Sequence, residues 1–431
     1  MLIESMCIHI DARLAPMSLL TTSEAAARLG VKNETLYAYV SRGLIGRVRS
    51  DDGRSSRFES DEVDAIVRTR RAGSGAGDQP GSPIAGMVIA TDVTTLHPDG
   101  VRFRGRNASV CAHTMTFEST AEWLWSGLEP GPSVTWASDP MVVAAAVRAS
   151  RLLPSGALLP DHLRVMTAVI AAHDPMRFDP RPEAFMAATR SLLAALVDAL
   201  PLRRPGAPPK LRIGEQAITG SLAARLWIRL SPLRPDPGAL GAMNGAMVML
   251  ADHELATSTF GVRVAASTRA DPYACISAGL GVLAGPLHGS ASAAVHHLLV
   301  AASQPEGPTA AVAAMLRRGD RIPGFGHPLY PDGDPRAVAL LDLLRASASN
   351  RRRMAIVDGI EAAVGRRKPA APNVDFALAA LGFVAMMPPD AGETIFAIAR
   401  SAGWIAHALE EMSEAPLRYR IRAQPRPRSI S

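Results

Sequence analysis

The chain has 431 residues and a formal net charge of +6, with 48% hydrophobic and 5% aromatic side chains. This hydrophobic fraction excludes a disordered chain, and the length predicts two or three domains. The longest apolar stretches, around residues 239–251 and 274–287, fall short of the roughly 18–20 residues that cross a bilayer, so we expect no membrane span. Three scattered cysteines cannot form a disulfide framework or a CxxC zinc site, which predicts a cytoplasmic protein without a bound metal.

Residues 72–84 predict a flexible linker, because glycine, serine and proline crowd together there and hydrophobic periodicity is lost. Before the linker, residues 18–71 have the size of a small domain. After it, the chain is dominated by alanine- and leucine-rich patterns that are typical of helices.

The sequence of the small domain predicts two short helices, a hairpin and a closing helix. Thr22 or Ser23 caps the first helix in this interpretation, and the second helix covers residues 33–40. Residues 47–58 predict a hairpin with an Asp-Gly turn, and residues 61–70 predict the closing helix. Two helices joined by Leu-Gly-Val have the spacing of a helix-turn-helix, and the hairpin is then its wing.

The stretch TTSEAAARLGVKNETLYAYVSRGLIG, followed by SSRFESDEVDAI, resembles the winged helix-turn-helix of the MerR and excisionase type. The resemblance implies that the second helix enters the major groove of DNA and that the wing approaches the backbone. The candidate DNA contacts are Thr35, Tyr37, Arg42, Arg47, Arg54 and Arg57. The alternative is a basic surface used for protein contacts, since neighbouring acidic residues weaken its positive field.

Four stretches after the linker combine histidine, aspartate or arginine with glycine and proline. They are ADHELATSTFGVR around His253, GPLHGSASAAVHHLL around His288, RIPGFGHPLYPDGDPRA with His327 and Arg336, and APNVDFALAALG with Asp375. A neutral histidine at a helix start can donate a hydrogen bond without a permanent positive charge. A carboxylate beside apolar side chains can be desolvated and become a stronger base.

These groups can take a proton from carbon, stabilise an enolate and hold an anionic electrophile. Each residue alone leaves alternatives open: a histidine near a glycine-rich turn is often structural, and Asp375 could equally cap a helix. His296 and His297 point in different directions on a helix, which favours a structural role over a metal site.

The order of the motifs resembles the citrate synthase family, including 2-methylcitrate synthases. The match covers residues 86–428 and rests on DHE, PLHG, GFGH, DPR, NVD and RSAGWIAH. It implies a mainly α fold, with a large helical domain over residues 85–288 and 397–431 and a small helical domain over residues 289–396. It also implies a homodimer with shared active sites between the two domains.

The resemblance assigns catalytic roles to three residues of this chain. Asp375 is the base that removes a methyl proton from an acyl-CoA, and His288 hydrogen-bonds the thioester oxygen as the enol forms. His327 polarises the ketone of oxaloacetate and protonates the new alkoxide. Acetyl-CoA or propionyl-CoA is the co-substrate, and no bound cofactor is implied.

The resemblance also assigns the dicarboxylate-binding positions, which are His253, Arg336, Arg400 and Arg420. Arg420 matches an arginine that reaches into the neighbouring subunit's site, and Arg418 or Arg422 could compete for that role. Forked guanidinium groups suit the two carboxylates of oxaloacetate.

This chain departs from the family pattern at several positions. Pro328 and Pro331 replace basic residues that help hold the CoA phosphates, and Ala256 replaces an asparagine near the substrate carboxylate. Ser292 and Ala293 replace the Asn-Glu that usually follows the PLHG motif. Two hypotheses follow: a citrate or 2-methylcitrate synthase with an added DNA-binding-like domain, or a DNA-binding regulator that senses oxaloacetate or acyl-CoA through the synthase fold.

Overall fold

The computed structural model divides into two compact units, residues 1–88 and residues 89–431. It describes residues 19–29, 31, 35–36, 40, 45, 48–49, 56–60, 63, 88–97, 99–129, 134–202, 220–285, 288, 291–347, 350–366 and 370–420.

The first unit contains a three-stranded antiparallel sheet and a helix. The strands are β1 (Leu19–Thr21), β2 (Val48–Arg49) and β3 (Ser56–Glu59), in the order β1-β3-β2, and α1 spans Thr22–Leu29. Its small core includes the fully buried Ala25 and Phe58. Strands β2 and β3 pair as the predicted hairpin requires, with Val48 opposite Arg57.

Thr21 caps α1, so the predicted cap at Thr22 or Ser23 is wrong. The backbone N–H of Glu24 donates to Thr21 Oγ1 at 3.3 Å, and the N–H of Thr21 donates to Glu24 Oε2 at 2.8 Å. This reciprocal capping box satisfies two backbone donors at once, which a cap one residue later would not do. Most of the predicted second helix and all but Val63 of the predicted closing helix lie outside the described residues.

The second unit opens with a small antiparallel sheet and continues as helices. Strands β4 (Thr94–His97), β5 (Gly100–Phe103) and β6 (Arg106–Asn107) pair in chain order. The helices are α2 (Ala108–Thr114), α3 (Phe117–Ser126), α4 (Pro140–Ser150), α5 (Leu159–Ala172), α6 (Pro182–Ala199), α7 (Leu222–Leu230), α8 (Pro237–Leu250), α9 (Thr257–Ser267), α10 (Pro272–Leu283), α11 (Ala291–Ala302), α12 (Gly307–Arg317), α13 (Pro335–Ala346), α14 (Arg351–Gly365), α15 (Val374–Val384) and α16 (Ala391–Ser413).

Four of these helices begin with an Asp-Pro pair. Asp139, Asp236, Asp271 and Asp334 each cap a helix by accepting a backbone N–H, and the proline that follows occupies the first helical position. Proline suits that position because its φ is already helical and the N–H that it lacks would have no partner within the helix.

Helix α16 lies at the centre of the second unit and packs against α3, α8, α9 and α10. Nearly every residue from Ala391 to Ala408 is buried, which an Ala- and Ile-rich helix permits on all of its faces. The mainly α fold predicted from the sequence is confirmed. The unit is compact as a whole, and its division into large and small domains stays a prediction.

Near the end of α16, the fully buried Glu411 holds the residues that follow the helix. Its carboxylate accepts hydrogen bonds from Arg418 at 2.6 Å, from the Tyr419 hydroxyl at 2.8 Å and from Arg263 of α9 at 2.9 Å. Burial alone would raise the pKa of Glu411, but these donors and charges outweigh it and lower the pKa. The segment after α16 is therefore tied to a buried charge.

Candidate active site

The GFGH loop is built so that His327 lies beside the helix that carries Asp375. Gly324 has φ 82° and no space for a side chain, since a Cβ there would come within 2.7 Å of Val295 Cγ2 and 2.9 Å of Phe376 Cβ. Its carbonyl accepts the N–H of Asn373 at 2.9 Å, and the Gly326 N–H donates to the Ala371 carbonyl at 2.9 Å. Only glycine meets both demands at position 324.

Asp375 is half-buried and lies in the first turn of α15, whose other residues are all buried and apolar or glycine. Asn373 caps this helix by accepting the N–H groups of Asp375 and Phe376, so the Asp375 side chain is not the cap. No side-chain hydrogen bond from the described residues reaches the Asp375 carboxylate. Burial raises its pKa, Arg336 and Arg400 oppose this effect, and Asp334 adds to it.

Two N–H donors approach the ring of His327, from the Leu329 backbone to Nδ1 at 3.1 Å and from Arg336 Nη2 to Nε2 at 3.5 Å. The shorter contact favours the neutral form that accepts at Nδ1 and carries its proton on Nε2. Burial lowers the pKa of His327, and Arg336 lowers it further, because its Nη2 lies 3.5 Å from Nε2. His327 is therefore a neutral hydrogen-bond donor through Nε2.

Arg336 is buried and lies at the start of α13. Its Nε and Nη2 donate to the two oxygens of Asp334 at 2.9 and 2.8 Å. The guanidinium carbon also lies 5.7 Å from the centre of the Tyr330 ring. This fork leaves Nη1 without a hydrogen bond from the described residues, so that nitrogen can take an anion.

His253 lies between α8 and α9 and faces His327. The two rings are 5.9 Å apart and nearly perpendicular, and His253 Nε2 lies 3.0 Å from the Tyr330 hydroxyl. Burial lowers the pKa of His253 well below its usual range, and the charges of Arg336 and Arg400 add to that effect. A neutral ring can hydrogen-bond an anion without adding charge to the site.

His288 precedes α11 and contacts α9 and α16. Its Nε2 lies 2.9 Å from Ser258 Oγ, and its ring meets that of Phe396 edge to face at 6.0 Å. Ser258 Oγ accepts the indole N–H of Trp404 at 3.3 Å, so its own proton can be donated to His288 Nε2. Burial and then Arg400 lower the pKa of His288, which favours the neutral ring. With the Ser258 hydroxyl donating to Nε2, the proton of that ring lies on Nδ1.

Arg400 lies in the middle of α16 with 2% of its surface exposed. Its Nε donates to the Leu250 carbonyl at 2.8 Å, and its guanidinium carbon lies 4.5 Å from the centre of the Phe396 ring. Burial lowers its pKa to about 10, against the opposing charge of Asp252, so the group is charged at neutral pH. Neither Nη atom has a hydrogen bond from the described residues.

The structure thus brings together six of the seven residues predicted for this site. The ring contacts, hydrogen bonds and charge interactions described above link His253, His288, His327, Arg336, Asp375 and Arg400. No described contact joins Arg420 to them: it is exposed, and its backbone N–H donates to the Leu417 carbonyl at 3.3 Å. Within the described residues, no three His, Cys, Asp or Glu side chains are grouped as metal ligands.

Of the predicted DNA contacts, the structure describes Thr35 and Arg57. Thr35 is half-buried in a helical segment, and Arg57 is half-buried on β3. The others, Tyr37, Arg42, Arg47 and Arg54, lie outside the described residues.

The sequence interpretation missed residues that support the site without resembling catalytic groups. Tyr330 contacts His253, Ser258 contacts His288, and Asp334 holds Arg336. The one available signal was the Asp-Pro pair at position 334, which is typical of a helix cap and not of a functional role.

The fold and this cluster define a mainly helical protein with an acid–base site for an anionic ligand. The family model described as citrate synthase, C-terminal domain, matches residues 85–424. A second model, described as a helix-turn-helix domain, matches residues 19–71. The chain belongs to the citrate synthase family.

Two relatives illustrate the likeness. The chain is 36% identical over 195 residues to citrate synthase 2 of Bacillus subtilis (strain 168), a match that covers 44% of this chain and 52% of that protein. It therefore spans about half the length of this relative. With 2-methylcitrate synthase 1 of Corynebacterium glutamicum it is 26% identical over 349 residues, covering 76% of this chain and 90% of that protein.

Solved structures of citrate synthases share the fold. The enzyme of Thermotoga maritima has a TM-score of 0.61 at 24% identity, covering 81% of this chain and 97% of that one. A ternary complex of Thermoplasma acidophilum citrate synthase with carboxymethyl coenzyme A and oxaloacetate has a TM-score of 0.62 at 21% identity, covering 80% of this chain and 96% of that one. No helix among the described residues is both long and apolar enough to cross a membrane.

Proposed function

We propose that the protein condenses an acyl-CoA with oxaloacetate and water to give citrate, or a 2-methyl homologue, and free CoA. The observation that carries the proposal is the environment of Asp375. Its carboxylate is partly desolvated, has no hydrogen-bond partner among the described residues, and interacts with the charges of the buried Arg336 and Arg400, which also act on the neutral rings of His327 and His288. This is the arrangement that proton abstraction from carbon beside an anionic electrophile requires.

The first step is proton transfer from the α-carbon of the acyl group to Asp375. His288 stabilises the enol that forms, because its Nδ1 proton can hydrogen-bond the thioester oxygen while Ser258 holds Nε2. A neutral imidazole donates without placing another cation beside Arg400. Asp375 takes up the proton readily because burial has already raised its pKa.

The second step forms the carbon–carbon bond. The enol carbon attacks the ketone carbon of oxaloacetate, whose oxygen accepts a hydrogen bond from Nε2 of His327 and takes up that proton as the alkoxide forms. The proton that Asp375 gained in the first step then replaces it on His327, so the proton balance closes. Arg336 and Arg400 each present nitrogen atoms for the two carboxylates of oxaloacetate. Water then cleaves the thioester, which gives the free acid and CoA as leaving group.

The proposal includes both acetyl-CoA and propionyl-CoA as co-substrates. The two differ by one methylene group, which changes the free energy of binding in an apolar pocket by only about 1–3 kcal/mol. Pro328 and Pro331 are both exposed beside the site, where the family pattern has basic residues. We therefore expect weaker CoA binding than the family pattern provides, with the condensation chemistry retained.

A homodimer with shared sites is part of the same proposal. Arg420 is exposed and directly follows Arg418 and Tyr419, which Glu411 holds in place. A charged residue on a fixed segment at the surface is suited to reach the site of a second copy. The cytoplasmic location stays a prediction from the sequence.

Thiol release by the purified full-length protein tests the function. We expect CoA release that requires both oxaloacetate and acyl-CoA, with acetyl-CoA and propionyl-CoA assayed in parallel. The ratio of the two values of kcat/KM then assigns the substrate. A control without oxaloacetate measures simple thioester hydrolysis, and release that is no faster with oxaloacetate would contradict the proposal.

The match of residues 19–71 to a helix-turn-helix domain supports a second candidate function, which is DNA binding by the first unit. In the sheet of this unit, β3 is the central strand and pairs with β1 and β2. Arg57 lies on β3, opposite Val48 of β2. An arginine on the wing strands can contact phosphates, which supply most of the affinity for DNA.

The Arg57→Gln variant of the full chain tests this second function. Binding to a labelled fragment of the DNA upstream of its own coding sequence is followed by fluorescence anisotropy over a salt series. We expect weaker binding and a slope of log K against log salt that is smaller by about 1, as one lost phosphate contact predicts. Arg318→Gln, at an exposed arginine paired with Asp320, is the control. Equal slopes for both variants would remove Arg57 from the interface.

A further inference from the structure

Asp334 has contacts that exceed those of a helix cap. It is 1% exposed, and its Oδ1 accepts the N–H of Arg336 at 3.1 Å, as a cap of α13 does. The same carboxylate also accepts both forked donors of the Arg336 side chain, at 2.9 and 2.8 Å. In addition, Oδ2 accepts the backbone N–H of Val374 at 3.0 Å.

The bond to Val374 crosses from one functional helix to another. Val374 is the first residue of α15, and Asp375 is the next. Arg336 lies in the first turn of α13. One buried carboxylate therefore joins the start of the helix that carries the dicarboxylate-binding arginine to the start of the helix that carries the base.

We propose that Asp334 is a positioning residue that fixes the position of Arg336 relative to Asp375. It thereby fixes the position of the bound dicarboxylate relative to the base, so the inference rests on the proposed function. Condensation needs the reacting carbons in near-attack geometry, and a misplacement of about 1 Å can lower the rate about 100-fold. A cap that served α13 alone would need neither the forked pair nor the bond to α15.

The charge of Asp334 also acts on the base. The charged groups of the described residues that face Asp375 are Arg336 on α13, Arg400 on α16 and Asp334 itself. Asp334 raises the pKa of Asp375, whereas both arginines lower it. Removal of the Asp334 charge therefore lowers the pKa of Asp375, because the charges of Arg336 and Arg400 then act on the base without opposition from Asp334.

The Asp334→Asn variant separates these effects from a simple loss of stability. Asparagine still caps a helix, but it lacks the charge and the second acceptor oxygen. We expect kcat/KM for oxaloacetate to fall about 100-fold, as misplacement of the reacting groups predicts. We also expect the acid limb of its pH profile, where Asp375 must be deprotonated, to move to lower pH. Circular dichroism and thermal melting report the fold.

Asp271→Asn is the matched control. Asp271 also precedes a proline, caps α10 through the N–H of Ala274 at 2.8 Å and lies 3.7 Å from an arginine, Arg177. It does not contact the site residues described above. We expect this variant to keep the wild-type kcat/KM and pH profile.

The Asp334→Glu variant keeps the charge and changes the reach of the carboxylate. Its kcat/KM should fall while the acid limb stays at the wild-type pH. A folded Asp334→Asn or Asp334→Glu variant with wild-type kcat/KM would overturn the inference. Wild-type protein without oxaloacetate-dependent thiol release would instead contradict the proposed function, so the two failures are distinguishable.

Discussion

Replacing Asp375 by alanine is expected to lower kcat about 100- to 10,000-fold, the range that a general base contributes. The substitution removes the only group of α15 that can accept a proton in the site and leaves the apolar face of the helix intact. Oxaloacetate binds through Arg336 and Arg400 in our proposal, so its Kd, measured by calorimetry, should change little. Thiol release at saturating substrates measures the loss of kcat.

Asp342→Ala is the control for this experiment. Asp342 is an exposed residue of α13 whose carboxylate lies 3.5 Å from Arg345, away from the site. Both variants lose one carboxylate, but only the loss at position 375 should affect turnover. Comparable turnover in the Asp375 variant would remove this residue from the mechanism, and a large change in oxaloacetate affinity would indicate that it shapes the binding site instead.

Replacing Arg400 by glutamine is expected to weaken oxaloacetate binding about 100-fold. A hydrogen bond between charged groups contributes about 1.5–3 kcal/mol, and each 1.4 kcal/mol changes affinity tenfold. Burial of Arg400 should place its effect at the upper end of that range, because water cannot replace the lost partner. The Kd of oxaloacetate, by calorimetry, is the measurement.

Arg353 provides a closely matched control for Arg400. Its Nη1 donates to the Phe383 carbonyl at 2.7 Å, and its guanidinium carbon lies 4.5 Å from the centre of the Phe383 ring. Arg400 makes the same two kinds of contact but also faces Asp375 and Arg336. Arg353→Gln should therefore leave oxaloacetate affinity unchanged. Equal losses in both variants would mean that Arg400 acts through the fold alone.

The sequence predicted which residues gather at the candidate site better than it predicted the residues that hold them there. His253, His288, His327, Arg336, Arg400 and Asp375 could be selected because their residue types and order are specific. The mainly α fold followed from the same motifs and from the helical patterns. The role of Asp375 remained open in the sequence, because an aspartate at a helix start can also be its cap.

The structure resolves that alternative through Asn373, whose side chain caps α15. The contacts of Tyr330, Ser258 and Asp334 could not be predicted, because each joins segments that are distant in sequence or depends on side-chain direction. Asp334 and Val374 are 40 residues apart, for example, and only the folded chain brings them to 3.0 Å. Arg420 differs again, since its predicted role requires a second copy of the chain.

The attachment of the segment after α16 to Glu411 affects how the protein can be engineered. Arg418 and Tyr419 supply three of the hydrogen bonds that this fully buried carboxylate accepts. A truncation that removes both residues leaves Glu411 with Arg263 as its remaining described donor, and a buried charge with too few partners is costly. A C-terminal truncation should therefore end after Tyr419, which keeps every described donor to Glu411 in place.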